Sequence, residues 1–109
     1  MRSRIEGWKF MSKGRDILTK TIILALREVA PGLEAVLEAH LRATLNSGIE
    51  LAYDDPQKFK EAVSKLFGEY SARLLEMVII SKLKGRLGED IEANSLEELV
   101  SEIRKIYGE

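Results

Sequence analysis

The sequence predicts an all-α chain: a bundle of about five helices around one buried central helix at about residues 68–87, preceded by an extended N-terminal arm. Three observations carry this. Apolar residues recur three and four positions apart through most of the stretch from residue 12 to residue 109. Proline and glycine stand where helices would begin and end, at Pro31, Gly32, Gly48, Pro56, Gly68, Gly88 and Gly108. The densest apolar run, GEYSARLLEMVIISKLKGRLG, ends in two glycines, Gly85 and Gly88. At 109 residues, 45% hydrophobic and 32% charged, the chain suits one helical domain over residues 12–109 that buries a core without staples.

Residues 1–11, MRSRIEGWKFM, show no helical period and contain Gly7, so they read as an arm. Trp8 and Phe10 lie two apart, which in an extended backbone places both on one side and Lys9 on the other. Large aromatics are expected to dock on the core or on a second subunit, with Arg2, Arg4 and Lys9 near acidic groups such as Glu97, Glu98 or Glu102. Base stacking by Trp8 between Arg4 and Lys9 is the competing reading.

Ser12 is placed to cap a first helix that runs to about Ala30, burying Ile17, Leu18, Thr21, Ile22, Ala25, Leu26 and Val29. Pro31 and Gly32 stop it. A second helix follows with Leu33, Val36, Leu37, His40, Leu41, Thr44 and Leu45 as its apolar stripe, and Glu38 and Arg42 four apart on the other side. Asn46, Ser47 and Gly48 end it, with Gly48 the natural left-handed residue. The next stretch, IELAY, alternates as a short strand would and is equally compatible with a helical turn. Asp54, Asp55 and Pro56 then supply a carboxylate cap and a proline at the first helical position for a third helix to Phe67, which buries Phe59, Ala62, Val63, Leu66 and Phe67.

In the central helix Leu75, Ile79, Leu83 and Leu87 fall on one face. Leu74, Met77, Val78 and Ile80 widen that face to most of the circumference, so packing on several sides is expected. A buried strand at Met77 to Ile80 competes with this, but the apolar pattern persists for about three turns. Gly85 either ends this helix or is tolerated inside it, leaving Gly88 as the stop. Ser95 and Glu98 then form a capping box for a last helix with Leu96, Leu99, Val100, Ile103, Ile106 and Tyr107 on one face.

The run DDPQKFKEAVSKLFGEYSARLLEMVI has an aspartate-proline start, Phe59, the Leu66-Phe67-Gly68 turn and the Leu74-Leu75 face. It resembles small all-helical domains of archaeal proteins proposed as signal-output modules. The resemblance covers Asp54 to about Leu83 and leaves the basic, aromatic arm outside. It implies a helical archaeal domain with no catalytic residues to carry over.

Several chemistries are excluded or disfavoured by composition. There is no cysteine, which removes disulfides and thiolate chemistry. His40 is the only histidine, so the chain holds no second imidazole for a two-imidazole metal site, and its place in an apolar stripe marks it as a packed or interface side chain. A pocket bringing Asp or Glu beside His40 would revive an enzymatic reading. Asp54 and Asp55 cap a helix rather than open a calcium loop, since proline follows at once. No glycine-rich phosphate loop and no nucleophile motif occur, and no catalytic, metal-binding or cofactor-binding residue is assigned. The run Ile22 to Leu26 is far below the roughly 20 residues of a membrane span, so the chain is read as cytoplasmic. One glutamine, two asparagines and abundant Lys, Arg and Glu are the composition of a heat-adapted protein.

Charge is unevenly spread. Residues 1–20 carry six bases and two acids, and residues 89–109 seven acids and two bases, although the formal net charge is −1. Head and tail are expected to attract one another within a molecule or between copies. The leading functional expectation is therefore a non-enzymatic interaction or regulatory module, a homodimer or a docking site for a protein partner, with Trp8, Phe10 and His40 at the interface. The alternative is nucleic-acid binding through Arg2, Arg4, Lys9 and the cluster Lys82, Lys84, Arg86. That cluster also suits the negative end of its own helix.

Overall fold

The computed structural model describes residues 12–29 and 31–109. Six helices follow one another: α1 Lys13–Val29, α2 Leu33–Leu45, α3 Leu51–Asp54, α4 Pro56–Phe67, α5 Glu69–Leu87 and α6 Leu96–Tyr107. Among the described residues there is no strand. The N-terminal arm, and with it Arg2, Arg4, Trp8, Lys9 and Phe10, lies outside the described residues, as does Ala30.

The helices end where local chemistry satisfies their free backbone groups. Ser12 Oγ accepts the Arg15 N–H at 3.2 Å, Asp55 accepts the Lys58 N–H at 3.2 Å ahead of Pro56, and Ser95 Oγ accepts the Glu98 N–H at 3.1 Å. The two adjacent aspartates divide the work: Asp55 caps α4, while Asp54 takes a two-pronged contact from Arg15, both legs 3.1 Å. The α6 box closes one residue early, because Glu98 Oε1 accepts from Asn94 N–H at 2.8 Å rather than from Ser95.

One local expectation is corrected and one ambiguity is resolved. Asn46, at φ 52°, is the left-handed residue after α2, not Gly48; Ser47 N–H then reaches Leu41 O at 3.3 Å, closing a Schellman-type turn. The stretch left open between strand and turn is helical. Leu51, Ala52 and Tyr53 are buried in succession, whereas an alternating strand buries every second residue. Its amides are satisfied within the segment, Leu51 by Gly48 O, Ala52 by Ile49 O and Tyr53 by Glu50 O, each at 3.0 Å. Gly85 lies inside α5, and Gly88, at φ 139°, is the stop.

One contiguous core joins the elements. α5 packs against α1, α4 and α6, and α1 also meets α2 and α3. Leu18, Ile22, Leu26, Leu37, Leu41, Phe59, Ile79, Leu83, Leu99 and Ile103 are all but inaccessible to solvent. The buried faces are narrower than the apolar stripes. Val29, Val36, Leu45 and Ile106 remain substantially exposed near helix ends, since a terminal turn reaches past the neighbour that covers the middle of its helix. Central α5 departs most from expectation: Leu75, Ile79, Ile80 and Leu83 are buried, but Leu74 and Met77 are 49% and 53% exposed. Its neighbours cover one side rather than its whole circumference.

Candidate functional site

Two features of α5 stand out, one on each side. On the inner side Glu76 sits among apolar residues at 5% exposure. Its carboxylate accepts from Arg73 at 2.9 Å, lies 2.9 Å from the Lys60 ammonium and takes the backbone N–H of Leu96 at 2.7 Å. That N–H is one of the unsatisfied donors at the start of α6, so the carboxylate ties α5 to the positive end of the α6 dipole. Burial pushes the Glu76 carboxyl up. The Leu96 amide, Lys60 and Arg73 outweigh it and hold the carboxyl below the usual range. Lys60 also reaches Glu97 at 2.8 Å and Arg73 the Asn94 carbonyl at 3.0 Å, which fixes the entry into α6. A cleft of about 230 Å³ opens beside this cluster, floored by Phe59, Val63, Leu75, Ile79 and Leu96.

On the outer side Tyr70, Leu74 and Met77 face solvent, Tyr70 at 83% exposure. With Ser81 and Lys84 they repeat at four-three-four-three spacing, the seam spacing of paired helices. A groove of about 290 Å³ runs beside the second half of this seam, between Met77, Ser81 and Lys84 on α5 and Glu89, Ala93 and Asn94 in the following loop.

A second polar cluster joins the start of α1 and the helix α3 to Arg104 and Glu109. The Tyr53 hydroxyl donates to Glu109 Oε1, Gly14 N–H donates to Glu109 Oε2 at 3.2 Å, and Arg104 stacks over the Tyr53 ring at 4.3 Å while donating to Tyr53 O at 3.1 Å. The Tyr53 phenol is pushed up to about 12 by burial and by its bond to Glu109, against the pull of Arg104.

His40 is half-buried on a cleft of about 270 Å³ between α2 and α4, with Thr44, Leu45, Lys58, Glu61 and Lys65. Glu61 shares that cleft, but among the described residues no hydrogen bond joins it to His40. The three cations of the proposed basic cluster do not converge. Lys82 and Arg86, four apart, share a side of α5, whereas Lys84, two from each, lies across the helix. Lys82 already holds Glu28 at 2.8 Å. Of the acids proposed as partners for the arm, Glu97 pairs with Lys60 and Glu102 with Lys105 at 3.3 Å. Among the described residues no group of three or more His, Asp or Glu is placed to hold a metal ion. No helix there is long and apolar enough to cross a membrane.

Sequence reasoning missed Glu76, Lys60 and Arg73. The available signal was a lone carboxylate inside LLEMVII, one turn before Ile79 and Ile80 on the same face.

The sequence model of the family described as Nitrosopumilus output domain 5 matches residues 12–105. The chain belongs to that family. The match takes in α1 to α6 almost entirely and leaves out residues 1–11, so the resemblance seen at Asp54 to Leu83 is part of a signature spanning the whole helical region. No curated protein matches the chain. Among solved structures it is similar to the crystal structure of PH0832 from Pyrococcus horikoshii OT3, at 97% identity and a TM-score of 0.85, covering 89% of this chain and 100% of that one. The family is described as an output domain and the Pyrococcus structure shares the fold; neither indicates catalysis.

Proposed function

We propose that this chain is a non-enzymatic interaction module that acts as a homodimer and serves through that association as a cytoplasmic signal-output domain. One observation carries the reading: in an output-domain family, the helix at the heart of the fold turns Tyr70, Leu74 and Met77 toward solvent. Full burial of a large apolar side chain is worth roughly 1.5–3 kcal/mol, and about half of that for one already half covered. Three such groups from each of two copies give a gain comparable with the roughly 4–15 kcal/mol that association costs. A gain that only matches the cost leaves no margin for a tight complex and suits a weak, reversible output.

The non-enzymatic part rests on how the polar groups are used. Glu76 accepts from three donors and Glu109 from two, which gives both carboxylates a structural use. Nucleic-acid binding has no comparable support, because Lys82 is engaged by Glu28 and Lys84 lies away from Arg86.

Light scattering on the full chain at high micromolar concentration tests the proposal. The expected mass is twice 12.3 kDa. A strict monomer at that concentration removes it, and steeply salt-dependent binding to mixed-sequence DNA would put the nucleic-acid reading in its place.

A further inference from the structure

From the outer face of α5 we infer the arrangement of the dimer: a second copy packs its own α5 antiparallel against this one, with the two-fold axis passing at Met77. This rests on the homodimer reading above and specifies its surface. Three properties of the face are self-complementary about that residue.

The first is the spacing of the seam, apolar in its first half and polar in its second. Tyr70, Leu74, Met77, Ser81 and Lys84 run about 21 Å along the helix at 1.5 Å per residue, and Met77 is the midpoint. An isologous contact requires each residue to meet the one equally far beyond the axis. Met77 then meets its own copy, and Leu74 meets the region of Ile80 and Ser81.

The second is shape. Tyr70 is the most exposed large apolar side chain among the described residues, a projection with nothing over it. Seven residues to one side of Met77 stands Tyr70, and seven to the other stands Lys84, at the end of the groove lined by Met77, Ser81 and Glu89. The two-fold operation lays each Tyr70 against the other copy's groove, its ring under the lysine stem.

The third is charge. Glu69 and Lys84 lie on the same flank of α5, on opposite sides of the axis and almost equidistant from it. Among the described residues neither is ion-paired. Antiparallel pairing brings Glu69 of each copy beside Lys84 of the other, whereas parallel pairing would set like charges together. Each residue also suits the dipole of its own helix, so the dissociation constant, not the stability of the monomer, distinguishes the two roles.

Cysteine cross-linking tests the arrangement, because the natural chain has no cysteine. Met77→Cys, placed on the axis, is expected to form a disulfide-linked dimer under mild oxidation, much faster than Leu24→Cys, an exposed position on α1. Tyr70→Cys and Lys84→Cys are expected to cross-link when mixed and hardly at all alone. Glu69→Lys should weaken the dimer roughly tenfold, and adding Lys84→Glu should restore it. If the chain is a dimer by light scattering but Met77→Cys links no faster than Leu24→Cys, the α5 arrangement is wrong and another face pairs. If the chain is a monomer, the homodimer reading falls with it.

Discussion

The most consequential single side chain in the described structure is Glu76. It is a charge in the core whose burial is offset by Lys60, Arg73 and the Leu96 amide. Glu76→Gln keeps the size but gives up the charge and at least one acceptor, and is expected to lower unfolding free energy by about 1–3 kcal/mol in urea at neutral pH. The folded carboxyl lies below its ordinary value. Its contribution is therefore complete above the unfolded value and is lost as pH falls through the folded one. The gap between wild type and Glu76→Gln should accordingly close in acid; a gap of constant size from neutrality to strong acid would show that the charge is not what stabilises. Gly14 is the other position where one atom matters. A Cβ there would stand 2.7 Å from Ile103 Cγ2 and 2.8 Å from Glu109 Oε1. Ile103 is a core residue with no room to retreat. Gly14→Ala should cost about 1–3 kcal/mol by thermal denaturation, although alanine is the better helix former. Gly14 was not legible in the sequence, because its partner Glu109 is 95 residues away; Glu76 showed only as a lone carboxylate in an apolar run, and its bond to the Leu96 amide, 20 residues on, depends on the fold.

At the scale of elements the sequence was far more informative. Ser12, Asp55-Pro56, Ser95 and the glycines at 68, 88 and 108 mark helix ends through bonds that are local in the chain. The short piece α3 was ambiguous because four or five residues sample strand and helix periods equally well. It became helical because no neighbouring strand could take its amides. The outer face of α5 was misread for a different reason. Periodicity reports which residues are apolar, and Leu74 and Met77 are apolar, but it does not report how many helices stand around the one that carries them. Gly85 gives a test at this scale. It lies within α5, and a Cβ added there would meet nothing within 4 Å. Gly85→Ala should raise unfolding free energy by about 0.5–1 kcal/mol through helix propensity alone. A loss of stability would mean that the helix does not run through to Leu87 as a regular element.

For the molecule as a whole, composition and packing carry an expectation of heat adaptation that melting tests. Amide side chains are scarce, and Lys60 bridges Glu76 and Glu97 while Arg73 shares Glu76, forming a network rather than an isolated pair. A melting temperature above about 65 °C, the top of the usual mesophile range, is expected by calorimetry; melting near 50 °C would remove that expectation. Basic head and acidic tail were expected to find one another; Glu109 of the tail accepts the Gly14 N–H of the head, Glu97 and Glu102 pair with Lys60 and Lys105, and residues 1–11 lie outside the described residues. Exposed apolar side chains remain on several helices, and on α5 they line up as Tyr70, Leu74 and Met77, the proposed pairing face. Sedimentation equilibrium of the wild-type chain beside Leu74→Glu tests that most directly, since Leu74 is half-exposed and its replacement leaves the core untouched. Wild type should sediment at twice 12.3 kDa and the variant, with an unchanged circular dichroism spectrum, at 12.3 kDa. Identical masses for the two proteins, whether single or double, would contradict an output domain that works by pairing through this helix.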